Sequence, residues 1–327
     1  MKLKPAFLSF FLLTAAVFAT WAQALPPDEA GALPALTAST RHGEWVTIDS
    51  ANNDKVELWV VYPERKDPAP VVLVIHEIFG LTDWARAVAD NLAAQGFIAI
   101  APDFVSGKGP SGGGTKSMTV EQARAAIGQL KPAEILARLD AAATYGTSLP
   151  AATKNFGVVG FCWGGGISFS YATAQPLLKA AVVYYGTSPS VQSLSTVQAP
   201  VLGLYGGNDA RVNATVPAAE TELKRLGKRF ESAFYEGAGH AFLRQLAAQN
   251  GANLKAANQA WPRTVSFLKE LLETTPVALI PSAAGFEVSD AYCEDEECLP
   301  ESAPGSLAAL SAPLSAPISA VAVHGSH

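Results

Sequence analysis

Three residues of the chain have the types and the order of a nucleophile, an acid and a base. Cys162 lies in "GFCWG", which has the form G-x-S-x-G with cysteine in place of serine. Asp209 follows the apolar run "VLGLYGG", and His240 lies in "FYEGAGHAF" after the next such run. This order is known from enzymes whose nucleophile occupies a sharp turn between a strand and a helix. Such a set can attack a carboxylic ester or lactone and form an acyl-enzyme on the cysteine.

The glycines around Cys162 favour the same interpretation. A nucleophile on such a turn is strained, and side chains two positions away would collide with the neighbouring strand and helix. The turn also places the thiol at a helix N-terminus, where the helix dipole favours the thiolate. Each residue alone has a simpler interpretation: a buried structural cysteine, a turn-forming Asp209 or a surface His240. The three in order favour the catalytic interpretation.

The elements that must position these residues alternate between apolar runs and helical patterns. Continuous Val/Ile/Leu runs such as "VVLVIHEI" predict strands buried on both faces, and the alternation predicts a mostly parallel sheet. "EWVTIDS" and "VELWVVYP" have no helix between them and predict an antiparallel start. Asp209 and His240 are therefore expected at the carboxyl edge of the sheet, where such folds build their sites. Helices are predicted over 83–95, 120–145, 165–174, 216–226 and 254–272.

The first 24 residues have the features of a secretory signal peptide. Lys2 and Lys4 precede an apolar run over 7–19, and "AQA" at 22–24 matches an A-x-A cleavage site. The alternative is a membrane anchor, for which the run is rather short. The sequence therefore predicts a signal peptide over 1–24, a periplasmic or secreted location and no stable membrane insertion after cleavage. Disulfides persist in such a compartment.

Charge and composition change along the chain. The net charge of −6 divides into +2 for residues 1–24, −7 for 275–327 and −1 for 25–274. The nearly neutral central region predicts no nucleic-acid partner. Residues 274–327 are rich in Ala, Pro and Ser and predict a disordered acidic tail. Within that tail, Cys293 and Cys298 in "CEDEEC" are candidates for a disulfide, with two free thiols or a metal-ligand pair as alternatives. No metal site or other cofactor is predicted.

Together these motifs resemble the dienelactone hydrolase family of the α/β-hydrolase superfamily. That family carries a G-x-C-x-G-G elbow, a later G-x-x-D, a G-H-x-F and an early E-I-F-G. The chain has "GFCWGG", "GGND", "GHAF" and "HEIFGL". The resemblance covers residues 44–273, after an N-terminal extension at 25–43. It implies the α/β-hydrolase fold, with helices on both faces of the central sheet, and carboxymethylenebutenolidase-like hydrolysis of ester or lactone bonds.

The resemblance also implies roles for residues around the cysteine. Glu77 matches a glutamate that contacts the resting cysteine and helps to produce the thiolate. His240 would move protons while Asp209 holds its tautomer. Backbone N–H groups of Trp163 and Ile78 would form the oxyanion hole. His76, next to Glu77, either braces the oxyanion loop by hydrogen bonding or is a strand-end histidine whose hydrogen bonds are satisfied, and the second interpretation is favoured.

Substrate recognition is predicted less directly. Members of the family bind a substrate carboxylate through two arginines, one of them four positions after the histidine, which is Arg244 here. Arg124 is the candidate for the second, with Lys108 and Lys116 as alternatives. The glycine-rich segment 107–114 lacks the context of a P-loop and predicts a flexible rim of the site.

Other functions remain open on the same residues. The scaffold also suits a general carboxylesterase or thioesterase. A non-catalytic envelope protein that only binds a partner is the alternative from another class. An intact Cys-Asp-His set argues against that alternative, because a binding module has no need of all three.

Overall fold

The computed structural model describes residues 24–273. The predictions for the signal peptide, the tail and the Cys293–Cys298 pair lie outside the described residues. Within 24–273, no helix is both long enough and apolar enough to span a bilayer.

One eight-stranded sheet forms the centre of the described region, with the strand order β1-β2-β4-β3-β5-β6-β7-β8. β1 pairs antiparallel with β2, and β2 pairs antiparallel with β4. All other neighbours are parallel. The predicted fold class, with an antiparallel start and a mostly parallel sheet, is therefore confirmed. The strands are β1 (Gly43–Asp49), β2 (Lys55–Val61), β3 (Ala69–Ile75), β4 (Ile98–Pro102), β5 (Ala152–Phe161), β6 (Ala180–Tyr184), β7 (Val201–Gly206) and β8 (Phe230–Tyr235).

Helices cover both faces of the sheet and create two hydrophobic cores. Along β3, Val72 and Val74 enter one core, whereas Val71 and Leu73 enter the other. The first core packs against α1, α2 and α8, and the second against α4, α5 and α7. This explains the continuous apolar strands, because both faces are buried. The helices are α1 (Ala32–Ala38), α2 (Asp83–Ala94), α3 (Val120–Gln129), α4 (Pro132–Ser148), α5 (Trp163–Ala174), α6 (Ala210–Asn213), α7 (Val216–Arg225) and α8 (Ala252–Leu272).

The single helix predicted over 120–145 is wrong. The structure has two helices there, because α3 ends at Gln129 and α4 begins at Pro132. Lys131 is extended, with φ −87° and ψ 146°. A residue before proline avoids the helical region because the proline ring crowds its backbone. Pro132 itself occupies the first turn of α4, where its missing N–H costs nothing.

The N-terminal extension 25–43 contains the helix α1, which the sequence patterns did not predict. The carbonyl of Pro27 accepts a hydrogen bond from the indole of Trp84 at 3.1 Å. The hydroxyl of Ser39 donates to Asp90 at 2.6 Å. Both partners lie on α2, so the extension is folded against the domain.

Candidate active site

Cys162 is the single residue between the end of β5 and the start of α5, and it is the N-cap of that helix. Its backbone has φ 56° and ψ −115°, a conformation that costs a residue with a Cβ about 1–3 kcal/mol. Its N–H donates to the carbonyl of Tyr184 at 3.0 Å, which anchors the turn to β6. The structure therefore contains the strained turn that the motif predicts.

The glycines of the motif have the steric role expected of them. A Cβ on Gly160 would lie 1.9 Å from the carbonyl oxygen of Gly164. A Cβ on Gly164 would lie 2.4 Å from the carbonyl oxygen of Ile75, at the end of β3. Both separations are far below contact distance, so only glycine lets the turn and α5 pack this closely against the sheet.

Asp209 and His240 meet at the carboxyl edge of the sheet. Asp209 follows β7 and is buried, whereas His240 follows β8 and is 34% exposed. Asp209 Oδ2 lies 2.5 Å from His240 Nδ1. This contact places the proton on Nδ1 and leaves Nε2 available to accept one from a neighbour. Among the described residues, no hydrogen bond joins the Cys162 thiol to His240.

Glu77 follows β3 and points into the same region. Its side chain is only 3% exposed, and its Oε2 accepts a hydrogen bond from Arg244 Nε at 2.7 Å. Burial raises the pKa of Glu77, while Arg244 and then His240 act to lower it. The site thus holds a buried carboxylate whose main partner is one arginine.

Arg244 is engaged by two carboxylates of the protein itself. Besides Glu77, its Nη1 donates to Glu29 of the N-terminal extension. Its guanidinium lies 5.0 Å from the ring centre of Phe79, within cation–π range. Arg244 is therefore held in place from three sides.

The thiol of Cys162 is protonated at neutral pH in the free protein. Burial and then the negative charge of Glu77 raise the pKa of Cys162, to about 11 after all contributions are combined. The N–H of Trp163 lowers this pKa, as expected at a helix N-terminus, and Arg211 and Arg244 also lower it. Burial outweighs these effects, so the thiolate expected from the sequence does not dominate before substrate arrives.

We expect alkylation of Cys162 by iodoacetamide to depend steeply on pH. Only the thiolate reacts, so the rate should rise about tenfold per pH unit below the pKa. Glu77→Gln removes a charge that raises this pKa, so its pH profile should shift towards lower pH. The rate is measured by mass spectrometry of the labelled peptide, with Glu121→Gln on α3 as the matched exposed control. Identical profiles for Glu77→Gln and the wild type would contradict an effect of the Glu77 charge on the pKa of Cys162.

A cavity of about 400 Å³ opens beside Cys162. Ile78 and Trp163 line it, so the structure brings both predicted oxyanion-hole residues next to the thiol. His76 is fully buried behind them. Its Nδ1 lies 2.7 Å from the carbonyl oxygen of Glu77, and its Nε2 accepts the N–H of Phe104 at 3.2 Å. Both ring nitrogens therefore have partners, as the favoured interpretation predicts, and the contact with Glu77 also matches the alternative in which His76 braces the loop that carries Glu77 and Ile78.

The candidates for carboxylate recognition do not line this cavity. Arg244 and Arg124 are both absent from its wall, and Arg124 is exposed on α3. Lys108 forms an ion pair with Glu134 at 2.7 Å. The ammonium of Lys116 lies 3.4 Å from the ring centre of Trp45.

Arg211 is the functional candidate that the sequence reasoning missed. It lies on α6, two positions after Asp209, and it is the one charged side chain among the described residues that line the cavity. A cation so close to a predicted catalytic acid was a usable signal. None of the motifs named above includes this position, because "GGND" ends at Asp209.

The fold and the site together define a class. A mostly parallel sheet with helices on both faces carries a strained nucleophile turn and a later acid–histidine pair at its carboxyl edge. This is the architecture of the α/β hydrolases.

The chain belongs to the dienelactone hydrolase family, because the family model described as "Dienelactone hydrolase family" matches its residues 56–272. It is 30% identical over 232 residues to a "Putative carboxymethylenebutenolidase" of Escherichia coli K12, covering 67% of this chain and 84% of that one. It is 32% identical over 192 residues to a protein of the same description from Methylorubrum extorquens, covering 55% and 65%. A crystal structure described as a putative dienelactone hydrolase from Klebsiella pneumoniae has a TM-score of 0.62 and 28% identity, covering 71% of this chain and 100% of that one. The protein is therefore a hydrolase acting on ester or lactone bonds.

Proposed function

We propose that the protein is an exported, cysteine-dependent hydrolase of ester or lactone bonds that works through an acyl-enzyme on Cys162. The observation that carries this proposal is the strained cysteine in the wall of a cavity at the sheet edge where Asp209 binds His240. Export is supported by the signal-peptide features of residues 1–24.

The proposed reaction has two stages. In the first, His240 Nε2 takes the thiol proton of Cys162 and the sulfur attacks the carbonyl carbon. The developing oxyanion is stabilised by the N–H groups of Trp163 and Ile78. The C–O bond of the ester then breaks, and the leaving oxygen takes the proton from His240. In the second stage, water attacks the thioester, His240 accepts its proton, and Cys162 leaves as sulfur and is reprotonated.

We further propose that a carboxylate on the substrate is bound by Arg211. The name of the relatives denotes hydrolysis of a carboxymethylenebutenolide, a lactone that bears a carboxylate. Arg211 supplies the charge that faces the cavity, and it forms no ion pair with any of residues 24–273. A charge-assisted contact at an exposed arginine contributes about tenfold to binding.

Steady-state kinetics on a matched pair of substrates tests both proposals. The monoester of succinic acid with 4-nitrophenol carries a carboxylate, and 4-nitrophenyl butyrate does not. We expect Arg211→Ala to lower kcat/KM about tenfold more for the acidic ester than for the neutral one. Arg124→Ala, a matched exposed arginine outside the cavity, should change neither.

The outcomes separate the two proposals. If Arg211→Ala lowers kcat/KM equally for both esters, Arg211 acts only by stabilising the Cys162 thiolate, and the proposed contact with a substrate carboxylate is rejected. Thioesters tested alongside address the alternative: turnover of thioesters without turnover of oxygen esters would identify a thioesterase.

A further inference from the structure

A second cavity, of about 330 Å³, lies between α4 and α5. We call it the apolar groove; its walls include Leu136 and Leu139 of α4 and Ile167, Tyr171 and Ala174 of α5. No charged side chain is present among the described residues that line it. The hydroxyl of Tyr171 donates to Asp140 at 2.8 Å, which satisfies this group within the protein. The groove therefore suits an apolar ligand and offers nothing to a charged one.

The apolar groove adjoins the cavity at Cys162. Ile167 and Ser170 line both of them. Ile167, Ser170 and Ala174 are spaced by three and four residues and therefore follow one side of α5, the helix whose N-cap is Cys162. With a rise of 1.5 Å per residue, Ile167 lies roughly 7 Å and Ala174 roughly 18 Å along the helix from Cys162. The groove thus begins within two turns of the thiol and extends away from it.

We propose that the apolar groove binds an aliphatic chain of the ester substrate, so that esters with long chains are preferred to short ones. This inference rests on the proposed function, because the chain must belong to a molecule whose carbonyl reaches Cys162. Ser170 and Ala174 are exposed, so the groove opens to solvent and is not a sealed packing defect. A long chain would remove this apolar surface from water, which is favourable in proportion to the area covered.

The occupant of the groove is substrate rather than a second copy of the chain. Ile167 and Ser170 border both the groove and the cavity at the reactive centre, a proximity that an interface between copies would not require. The chain could be attached to the acyl half or to the alcohol half of the ester. Both share one chemistry, and the experiment distinguishes them.

The test measures kcat/KM along two ester series. One series runs from 4-nitrophenyl acetate through butyrate and octanoate to decanoate, and the other from ethyl to decyl acetate. In one series or both, kcat/KM should rise about threefold per added methylene until the groove is filled. The series that rises identifies the half of the ester that occupies the groove.

Variants that fill the groove provide the decisive comparison. Ala174→Trp on α5 and Ala133→Trp on the α4 wall both begin from exposed positions, so the fold should tolerate them. Either should abolish the rise with chain length while acetate hydrolysis stays within about twofold of wild type. Ala125→Trp, an exposed alanine of α3 outside both cavities, is the matched control and should leave the rise unchanged.

Ligand binding to an inactive variant tests the groove independently of ester hydrolysis. Decanoate and decanol should both bind to the Cys162→Ala variant in titration calorimetry. Adding Ala174→Trp to this variant should weaken, by about tenfold, the binding of whichever of the two ligands occupies the groove. Flat ester series, or equal decanoate and decanol binding with and without Ala174→Trp, would overturn the inference. A change of oligomeric state in Ala174→Trp with an unchanged ester series would instead assign the groove to a second copy. If the wild type does not hydrolyse acetate esters, the proposed function is contradicted. The calorimetric binding of decanoate and decanol then shows separately whether the groove binds an aliphatic chain.

Discussion

Cys162→Ala should lower kcat for every ester that the wild type hydrolyses by about 10⁴-fold or more. The sulfur is the atom that forms the covalent bond, and no other nucleophile is placed at the turn between β5 and α5. Alanine retains the Cβ and the backbone N–H that donates to Tyr184, so the fold should be unchanged. The measurement is the steady-state rate, with circular dichroism and the unfolding temperature as evidence of folding.

A covalent readout accompanies this rate. Mixing the wild type with 4-nitrophenyl acetate should give a species heavier by one acetyl group, located at Cys162 by peptide mass spectrometry. Cys162→Ala should give none, although Cys293 and Cys298 are still present in it. If the alanine variant hydrolyses esters at a rate close to wild type, the nucleophile is another group and the proposed mechanism fails.

The position of the site was predictable because the carboxyl ends of parallel strands lie at the same edge of the sheet. Cys162, Asp209 and His240 each follow an apolar run, and every strand from β3 to β8 that carries a site residue runs in the same direction. Residues far apart in sequence must then converge at that edge. The same patterns predicted the sheet, since runs of Val and Ile buried on both faces are a strong signal.

Contacts that depend on particular side chains were not predictable in this way. Glu29 and Arg244 are separated by 215 residues, and nothing in the periodicity of either segment indicates that they pair. Pro132 indicates the break between α3 and α4, but the helical pattern on both sides of it indicates one continuous helix. Whether Arg244 faces substrate or protein is likewise set by its partners, not by its distance from His240 along the chain.

Arg244→Ala should destabilise the protein by about 3 kcal/mol, because it leaves the buried carboxylate of Glu77 without its cation. Removing one partner of a buried pair costs more than the pair itself contributes, since an uncompensated charge remains. The loss is measured by urea unfolding. Arg244→Ala combined with Glu77→Gln removes that charge as well and should recover much of the loss. Glu29→Gln affects only a contact at an exposed carboxylate and should cost about 1 kcal/mol or less.

The destabilisation should depend on pH with a definite sign. Arg244 acts to lower the pKa of Glu77, so removing it raises that pKa further above the value in the unfolded chain. Between the two pKa values the unfolded state binds fewer protons than the folded state, and stability therefore falls as pH rises. Arg244→Ala should thus be closer to wild type at pH 5 than at pH 8, whereas the double variant with Glu77→Gln should lack this difference.

Kinetics on the acidic and neutral 4-nitrophenyl esters then decide between two roles for Arg244. An arginine held by Glu77 and Glu29 outside the cavity acts through the position and charge of Glu77, so Arg244→Ala should lower kcat/KM for both esters alike. A variant as stable as wild type that loses activity only on the acidic ester would contradict this. It would mean that Arg244 leaves Glu77 to bind the substrate carboxylate, and that the pairing in the free protein is broken in each catalytic cycle.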